Sequence, residues 1–212
     1  MLRYIYADDL TKFPKLARSM FKDRARQFAD RLGWEVEVQA DGSERDEYDN
    51  MNPLYVIWER SDGSHGGSMR FLPTTGDTMV NDHFLHLTDG VKIQSPFIWE
   101  CTRFCLAPRS DPRVSAALML GGLELGIHFN LSHAVGVFDA RMVRIYRRLG
   151  WGPTLLGTDG HGSDSISVGL WAFEPEVRPR LLERARTSSE VSTYWFERSF
   201  DFHAHDTAVQ SA

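Results

Sequence analysis

The sequence predicts an α/β fold in three layers, a mixed β-sheet with helices on both faces. Three observations lead there. In the second half of the chain, strand-like and helix-like segments alternate, the pattern of a sheet covered by helices. Earlier, two apolar runs, "LYVIWER" and "GSMRFLP", flank the turn "SDGSHG" and read as an antiparallel hairpin, so the sheet is not all parallel. No G-x-G-x-x-G and no G-x-x-x-x-G-K-[ST] loop is present, which argues against a doubly wound nucleotide fold.

The elements follow in order. "LRYIYA" (2–7) reads as a first strand, and from Leu10 to Leu32 apolar residues fall at helical spacing, with Pro14 as an early break. The acidic, turn-rich stretch 39–53 reads as a loop, and the hairpin follows it. "DHFLHL" reads as a short helical piece, and "FIWECTRFCL" (97–106) as a buried strand. After Pro108 to Pro112 comes a long helix, "RVSAALMLGGLELGIHFNLS". "HAVGVF" is the next strand, and "DARMVRIYRRLGW" a helix with Asp139 as its N-cap. "ISVGLWAF" is a late strand and "PEVRPRLLERARTS" a late helix. One domain is expected over residues 1–200, with 201–212 as a flexible tail.

Composition narrows the function. The chain has 212 residues, 42% of them apolar, enough for a folded core. A net charge of -5 without a basic excess speaks against nucleic acid as main partner. No run approaches the ~20 apolar residues of a membrane span, and "MLRYIYADDLTKF" lacks a secretory pattern, so a cytoplasmic location is expected. The two cysteines, Cys101 and Cys105, share one strand. Their Cα atoms would lie about 13 Å apart, too far for a disulfide, so two free thiols in a reducing compartment are expected.

The charges in "FIWECTRFCL" are the anomaly. Glu100 and Arg103 stand in a strand otherwise fit for burial, where charges are rare unless paired or functional. Three residues apart on a regular strand they face opposite sides; a β-bulge would bring both to one site. Read alone they are a buried ion pair. Asp46 and Asp49 read as loop acids, Arg24 and Arg70 as surface charges, and Phe28 and Trp34 as core. His203 and His205, two apart, lack evident partner ligands for a metal; His161 in "DGHGSD" reads as a turn residue; Ser132 and His133 lack a nucleophile-elbow setting.

Together these positions resemble the LuxI-type acyl-homoserine-lactone synthases, the autoinducer synthases. The resemblance runs from about residue 20 to 175 and rests on Arg24, Phe28, Trp34, the "DEYD" acids Asp46 and Asp49, Arg70, Phe84, and the "WECTRF" signature with Glu100 and Arg103. It implies a fold similar to GCN5-related N-acyltransferases, with a bulged central strand beside a V-shaped split. It implies transfer of an acyl chain from a thioester to the amine of S-adenosylmethionine, then lactone closure with loss of methylthioadenosine, for quorum sensing. S-adenosylmethionine is then a substrate, and no cofactor is implied.

On this resemblance Glu100 is the expected base, with Arg103 beside it. Arg24, Phe28, Trp34, Asp46, Asp49, Arg70 and Phe84 would surround S-adenosylmethionine. Cys101, Thr102, Gly136, Phe138 and Met142 would line the acyl pocket. Gly136 holds a place where synthases of 3-oxo chains often carry threonine, so no hydroxyl is offered there and room for a longer chain is expected. The stretch "RSDPRVSA" lacks the glycines of a pyrophosphate loop. Acyl carrier protein is therefore the expected donor, docked on Arg144, Arg147 and Arg148, with acyl-CoA as the alternative. Two competing readings are another N-acyltransferase using acyl-CoA and a non-catalytic carrier-protein or ligand-binding module.

Overall fold

Seven strands pair into one mixed sheet: β1 (Leu2–Tyr6), β2 (Leu54–Glu59), β3 (His65–Pro73), β4 (Ile98–Leu106), β5 (His133–Asp139), β6 (Thr154–Asp159) and β7 (Ile166–Ala172), in the order β1-β2-β3-β4-β5-β7-β6. Among the described residues only β4 and β5 pair in parallel. The structure, a computed structural model, describes residues 1–210, with side chains except those of Ser163 and of residues 201–210. The expected tail is largely covered by the backbone of the last helix; Ser211 and Ala212 lie outside the described residues, and His203 and His205 outside the described side chains.

Among the described residues six α-helices cover the sheet: α1 (Pro14–Ala25), α2 (Met79–His83), α3 (Arg113–His128), α4 (Ala140–Leu149), α5 (Arg178–Ala185) and α6 (Ser189–Gln210). Strand alternation sorts the two faces. Leu2, Tyr4, Leu54, Val56, Met69 and Phe71 point to the α3 side and build the main core. Ile5, Tyr55 and Ile57 point the other way and pack on Leu16, Met20 and Phe21 of α1. Pro14 opens α1 at its first position, where its missing N–H costs nothing. Past Ala25 the helix widens into a π-type turn, Arg26–Arg31, which carries Phe28.

Two elements were not expected. β6 is an edge strand with nearly every residue exposed, so its apolar alternation is weak. α6 follows α5 after a short break at Arg186, whose φ of 52° ends α5 in a left-handed cap. The short helix near "DHFLHL" begins earlier than expected, at Met79.

The strand pairing creates a split. β4 and β5 pair only at Ile98, Trp99 and Glu100, against His133, Ala134 and Val135. Beyond Glu100 the strands diverge, and β4 leaves its backbone on that side without a ladder partner. β4 also carries the bulge: between the pairs Ser68–Cys105 and Arg70–Thr102, β3 advances two residues and β4 three. Arg103 sits there with φ of 55°, in the left-handed region. That conformation costs a non-glycine residue about 1–2 kcal/mol, so the neighbouring structure must hold it.

Candidate active site

The bulge decides which way Arg103 points. Glu100 and Thr102 face the α1–α2 side, whereas Cys101 and Phe104 pack with the main core on the α3 side. Without the extra residue Arg103 would follow Cys101 into that core. With it, Arg103 joins Glu100 and Thr102 on the polar face, as the spacing suggested.

There Arg103 enters a buried network of three guanidinium and three carboxylate groups. Arg24 donates a bidentate pair to Asp49 at 2.8 and 2.9 Å and also bonds Glu44. Arg70 bonds Asp46, donates to Asp49 at 2.8 Å, and gives its Nε–H to Thr102 at 3.0 Å. Arg103 pairs with Glu44 at 3.0 Å and Asp46 at 2.8 Å, and lies over the ring of Phe28. Tyr55 adds a hydroxyl donor to Asp49. Three positive and three negative groups balance, so burial leaves no net charge uncompensated. Burial alone would raise the Asp49 carboxyl, but Arg24 and Arg70 outweigh it and hold it well below the usual range. Arg24 is likewise held charged by Asp49 and Glu44 against its own burial.

The loop supplying the acids is shaped for this. Asp46 caps the 3-10 turn Glu47–Asn50, and Asp46 and Asp49 exchange side-chain-to-backbone bonds in a capping box. All five charged residues expected here, Arg24, Asp46, Asp49, Arg70 and Arg103, meet in one cluster. The sixth, Glu44, was missed. It is fully buried and bridges Arg24 and Arg103. A signal existed: two residues before Asp46 in an extended stretch, Glu44 presents its carboxylate on the same side.

A cavity of about 520 Å³ runs from this network through the split to the α3 side. At its polar end are Asp46, Arg103, Met79, Phe84 and the stacked pair Phe28–Trp34, with centroids 5.2 Å apart. Trp34 is 41% exposed and forms the rim. At its inner end are Cys101, Gly136, Phe138, Met142, Tyr146 and Trp171. Arg24, Glu44, Asp49 and Arg70 stand behind the wall and brace the residues that line it.

Glu100 is also behind the wall. Its two oxygens accept the N–H groups of Met79 (3.0 Å) and Val80 (2.6 Å), so it caps α2 from the sheet face that α2 covers. Burial raises its carboxyl to about 7, against the lowering effect of those two bonds and of Arg70. A carboxyl at that value exchanges protons readily near neutral pH.

Two expectations about the acyl side change. Thr102 belongs to the polar face, since alternation pairs it with Glu100 and its hydroxyl accepts from Arg70. Gly136 offers no spare room: a Cβ there would meet the Cys101 carbonyl at 3.0 Å and the Trp171 ring at 3.3 Å. Glycine is needed for that close approach. Arg144, Arg147 and Arg148 are exposed on the outer side of α4 and do not line the cavity, whereas Met142 and Tyr146 of the same helix do. The cysteines are free, and burial pushes both thiols up to about 12, which leaves them un-ionised.

A second polar group is purely structural. His65 lies between Asp23 (2.9 Å) and Ser68 (3.0 Å). The three residue types match a hydrolase triad, but all are buried away from the cavity, and they tie α1 to β3. Burial lowers the His65 pKa, which keeps the ring neutral.

The family model of autoinducer synthases matches residues 9–170. An acyl-homoserine-lactone synthase of Rhizobium etli is 42% identical over 178 residues, covering 81% of this chain and 84% of that protein. The chain belongs to the autoinducer synthase family. Its fold agrees with that of BjaI, a CoA-dependent acyl-homoserine-lactone synthase solved with SAM and isopentyl-CoA, at a TM-score of 0.80 and 21% identity over 89% of this chain and 90% of that one. A more distant likeness, to the N-acyl amino acid synthase FeeM, has a TM-score of 0.56 at 12% identity over 84% and 98% of the two chains. The architecture is thus one that autoinducer synthases share with other N-acyltransferases.

Proposed function

We propose that this autoinducer synthase makes an N-acyl-homoserine lactone from S-adenosylmethionine and an acyl thioester, and that the split cavity is where the two meet. One observation carries the reading: a single cavity joins an ion-paired polar pocket, rimmed by stacked aromatics, to an apolar chamber through the gap between β4 and β5. An amine substrate with a charged head suits the first end and an acyl chain the second.

The chemistry assigns roles. The α-ammonium group must lose a proton before it attacks the thioester carbonyl. Glu100, with its carboxyl near 7, takes that proton through one water, since it does not itself line the cavity. Asp46 holds the ammonium and Arg103 the carboxylate. Phe28 and Trp34 stack against the adenine or the sulfonium. The C–N bond forms as the C–S bond of the thioester breaks, and β4 N–H groups beyond Glu100 stabilise the oxyanion. In the second step the substrate's own carboxylate attacks Cγ, the sulfonium C–S bond breaks, and methylthioadenosine leaves. Orientation is the main demand there, and no cofactor enters either step.

Carrier protein fits as donor better than coenzyme A. The helix N-termini on either side of the split already hold carboxylates: Asp111 accepts from the Arg113 N–H at α3, and Asp139 from the Arg141 N–H at α4. Neither leaves an amide cradle for a pyrophosphate. Arg144, Arg147 and Arg148 offer an acidic carrier a basic face on the helix whose other side lines the chamber. BjaI, by contrast, is a CoA-dependent enzyme. These substrates place the reaction in the cytoplasm, and no described helix is long and apolar enough to cross a membrane. Mass spectrometry of spent medium from cells expressing the chain tests the whole reading. An acylated homoserine lactone absent from control cells supports it; none, with soluble protein present, rejects it.

A further inference from the structure

A second cavity, of about 360 Å³, opens at the outer edge of the sheet and shares no lining residue with the first. Its floor is β1, an edge strand that pairs with β2 alone among the described residues. One wall is the 3-10 turn Ala7–Lys12 with Phe13, and the other is α6, through Trp195, Arg198 and Ser199. Three strand spacings separate β1 from β4, about 14 Å, so this cavity is not an arm of the split.

It is closed to a further strand. The Tyr4 N–H turns away from β2 and donates to the Ser199 hydroxyl at 3.3 Å, so α6 stands where an added strand would pair. The space that remains suits a compact molecule, and its volume falls in the range of small-molecule sites.

The charges around it are unevenly matched. Arg3 pairs with Glu59 at 2.6 Å and lies over the Phe13 ring, 4.7 Å from its centroid. Lys12 pairs with Asp9 at 3.0 Å. Arg198 differs. Among the described side chains no carboxylate reaches it, and its one contact is the Met1 Sδ at 3.8 Å, a weak acceptor. Its guanidinium stands beside an apolar surface formed by Met1, Phe13 and Trp195. Trp195 is set edge-on to Trp58, with ring centroids 5.7 Å apart, which fixes its ring. One cation left unmatched in this way calls for one negative charge, and a phosphate dianion would need a second.

We infer that this cavity binds a small organic monocarboxylate. The Arg198 guanidinium holds its carboxylate, and Phe13 and Trp195 take its aromatic or short aliphatic body. A planar carboxylate meets the guanidinium edge with two parallel hydrogen bonds. The site stands apart from the synthase cavity and does not depend on the reaction proposed there.

The test titrates phenylacetate, octanoate and their neutral amides into isotope-labelled protein and follows the indole N–H signals by NMR. Trp195→Phe assigns the signal of Trp195. That signal should move saturably with at least one of the two carboxylates. The signals of Trp34 and Trp171 report the synthase cavity and distinguish binding there. The matching amide should bind roughly 10-fold or more weakly, and Arg198→Ala, an exposed position, should weaken the carboxylate by a similar factor, the loss of a charged hydrogen-bonded pair. A Trp195 signal that neither carboxylate moves, equal affinity for acid and amide, or wild-type affinity in Arg198→Ala would each overturn the inference.

Discussion

The two ends of the cavity are built on opposite principles. At the polar end every charged group has two or more partners, and four of the six network residues lie behind the wall, where they touch only other protein groups. At the inner end side chains meet through van der Waals and ring contacts, with Phe138, Tyr146 and Trp171 edge to face. The first arrangement has one solution: each ion fixes its neighbours, and Arg103 is held in a strained backbone conformation by Glu44, Asp46 and Phe28. The second tolerates substitution as long as volume is kept. One end is therefore fixed by charge balance and suits a substrate common to all cycles of the enzyme; the other is adjustable and suits a chain that differs between enzymes.

Breaking the polar end should have the largest effect. Glu44→Ala leaves Arg24 and Arg103 without a shared acceptor in a buried site, and should cost about 3–5 kcal/mol of folding stability. Lys15→Ala, which removes an exposed partner of Asp62, should cost no more than about 1 kcal/mol. Urea unfolding of the two variants makes the comparison; equal losses would mean the network contributes no more than a surface pair.

Glu100 separates stability from rate. Its carboxyl is raised from its ordinary value to about 7, so its contribution to folding is full below about pH 4.5 and fades as pH rises toward 7. The gap between wild type and Glu100→Gln should therefore narrow from pH 5 to pH 7.5. Asp49, held low, acts in the opposite sense: its contribution is present above its ordinary pKa and is lost as acid protonates it. In catalysis Glu100→Gln should reduce kcat roughly 100-fold or more and remove the limb near pH 7. A folded variant with wild-type release of methylthioadenosine would refute the base role.

A smaller effect is expected outside the cavity. Arg144, Arg147 and Arg148 changed to Glu should raise the KM for acylated carrier protein several-fold and weaken its salt dependence. Steady-state assays at two ionic strengths report this. Equal or better use of the matching acyl-CoA by wild type would favour coenzyme A as donor.

How legible each end was in the sequence follows from the same contrast. Charges inside an apolar strand stand out, so Glu100 and Arg103 pointed to a bulge, and the structure has it at Arg103. Glu44 was hidden because "GSERDEYD" offers four acids, and only the two-residue step to Asp46 singles it out. The chamber was read only in part. Phe138 and Met142 came with the family resemblance, but Trp171 and Tyr146, which also line it, stand in apolar segments where nothing local singles them out. Filling of the space at Gly136 by Trp171 comes from β5 and β7 pairing, Gly136 against Gly169, a tertiary fact. β6 was missed because an exposed edge strand needs no apolar stripe.

The most direct test of the two-ended cavity is a crossed KM measurement on one assay. Trp34→Ala removes a face of the polar rim, and Met142→Trp fills part of the inner chamber. Trp34→Ala should raise the KM for S-adenosylmethionine about tenfold, the loss of one stacked cation or ring, and leave that for the acyl donor within twofold. Met142→Trp should do the reverse, and more strongly for longer chains. Both variants raising both constants alike, or the effects exchanged between substrates, would contradict the division of the cavity.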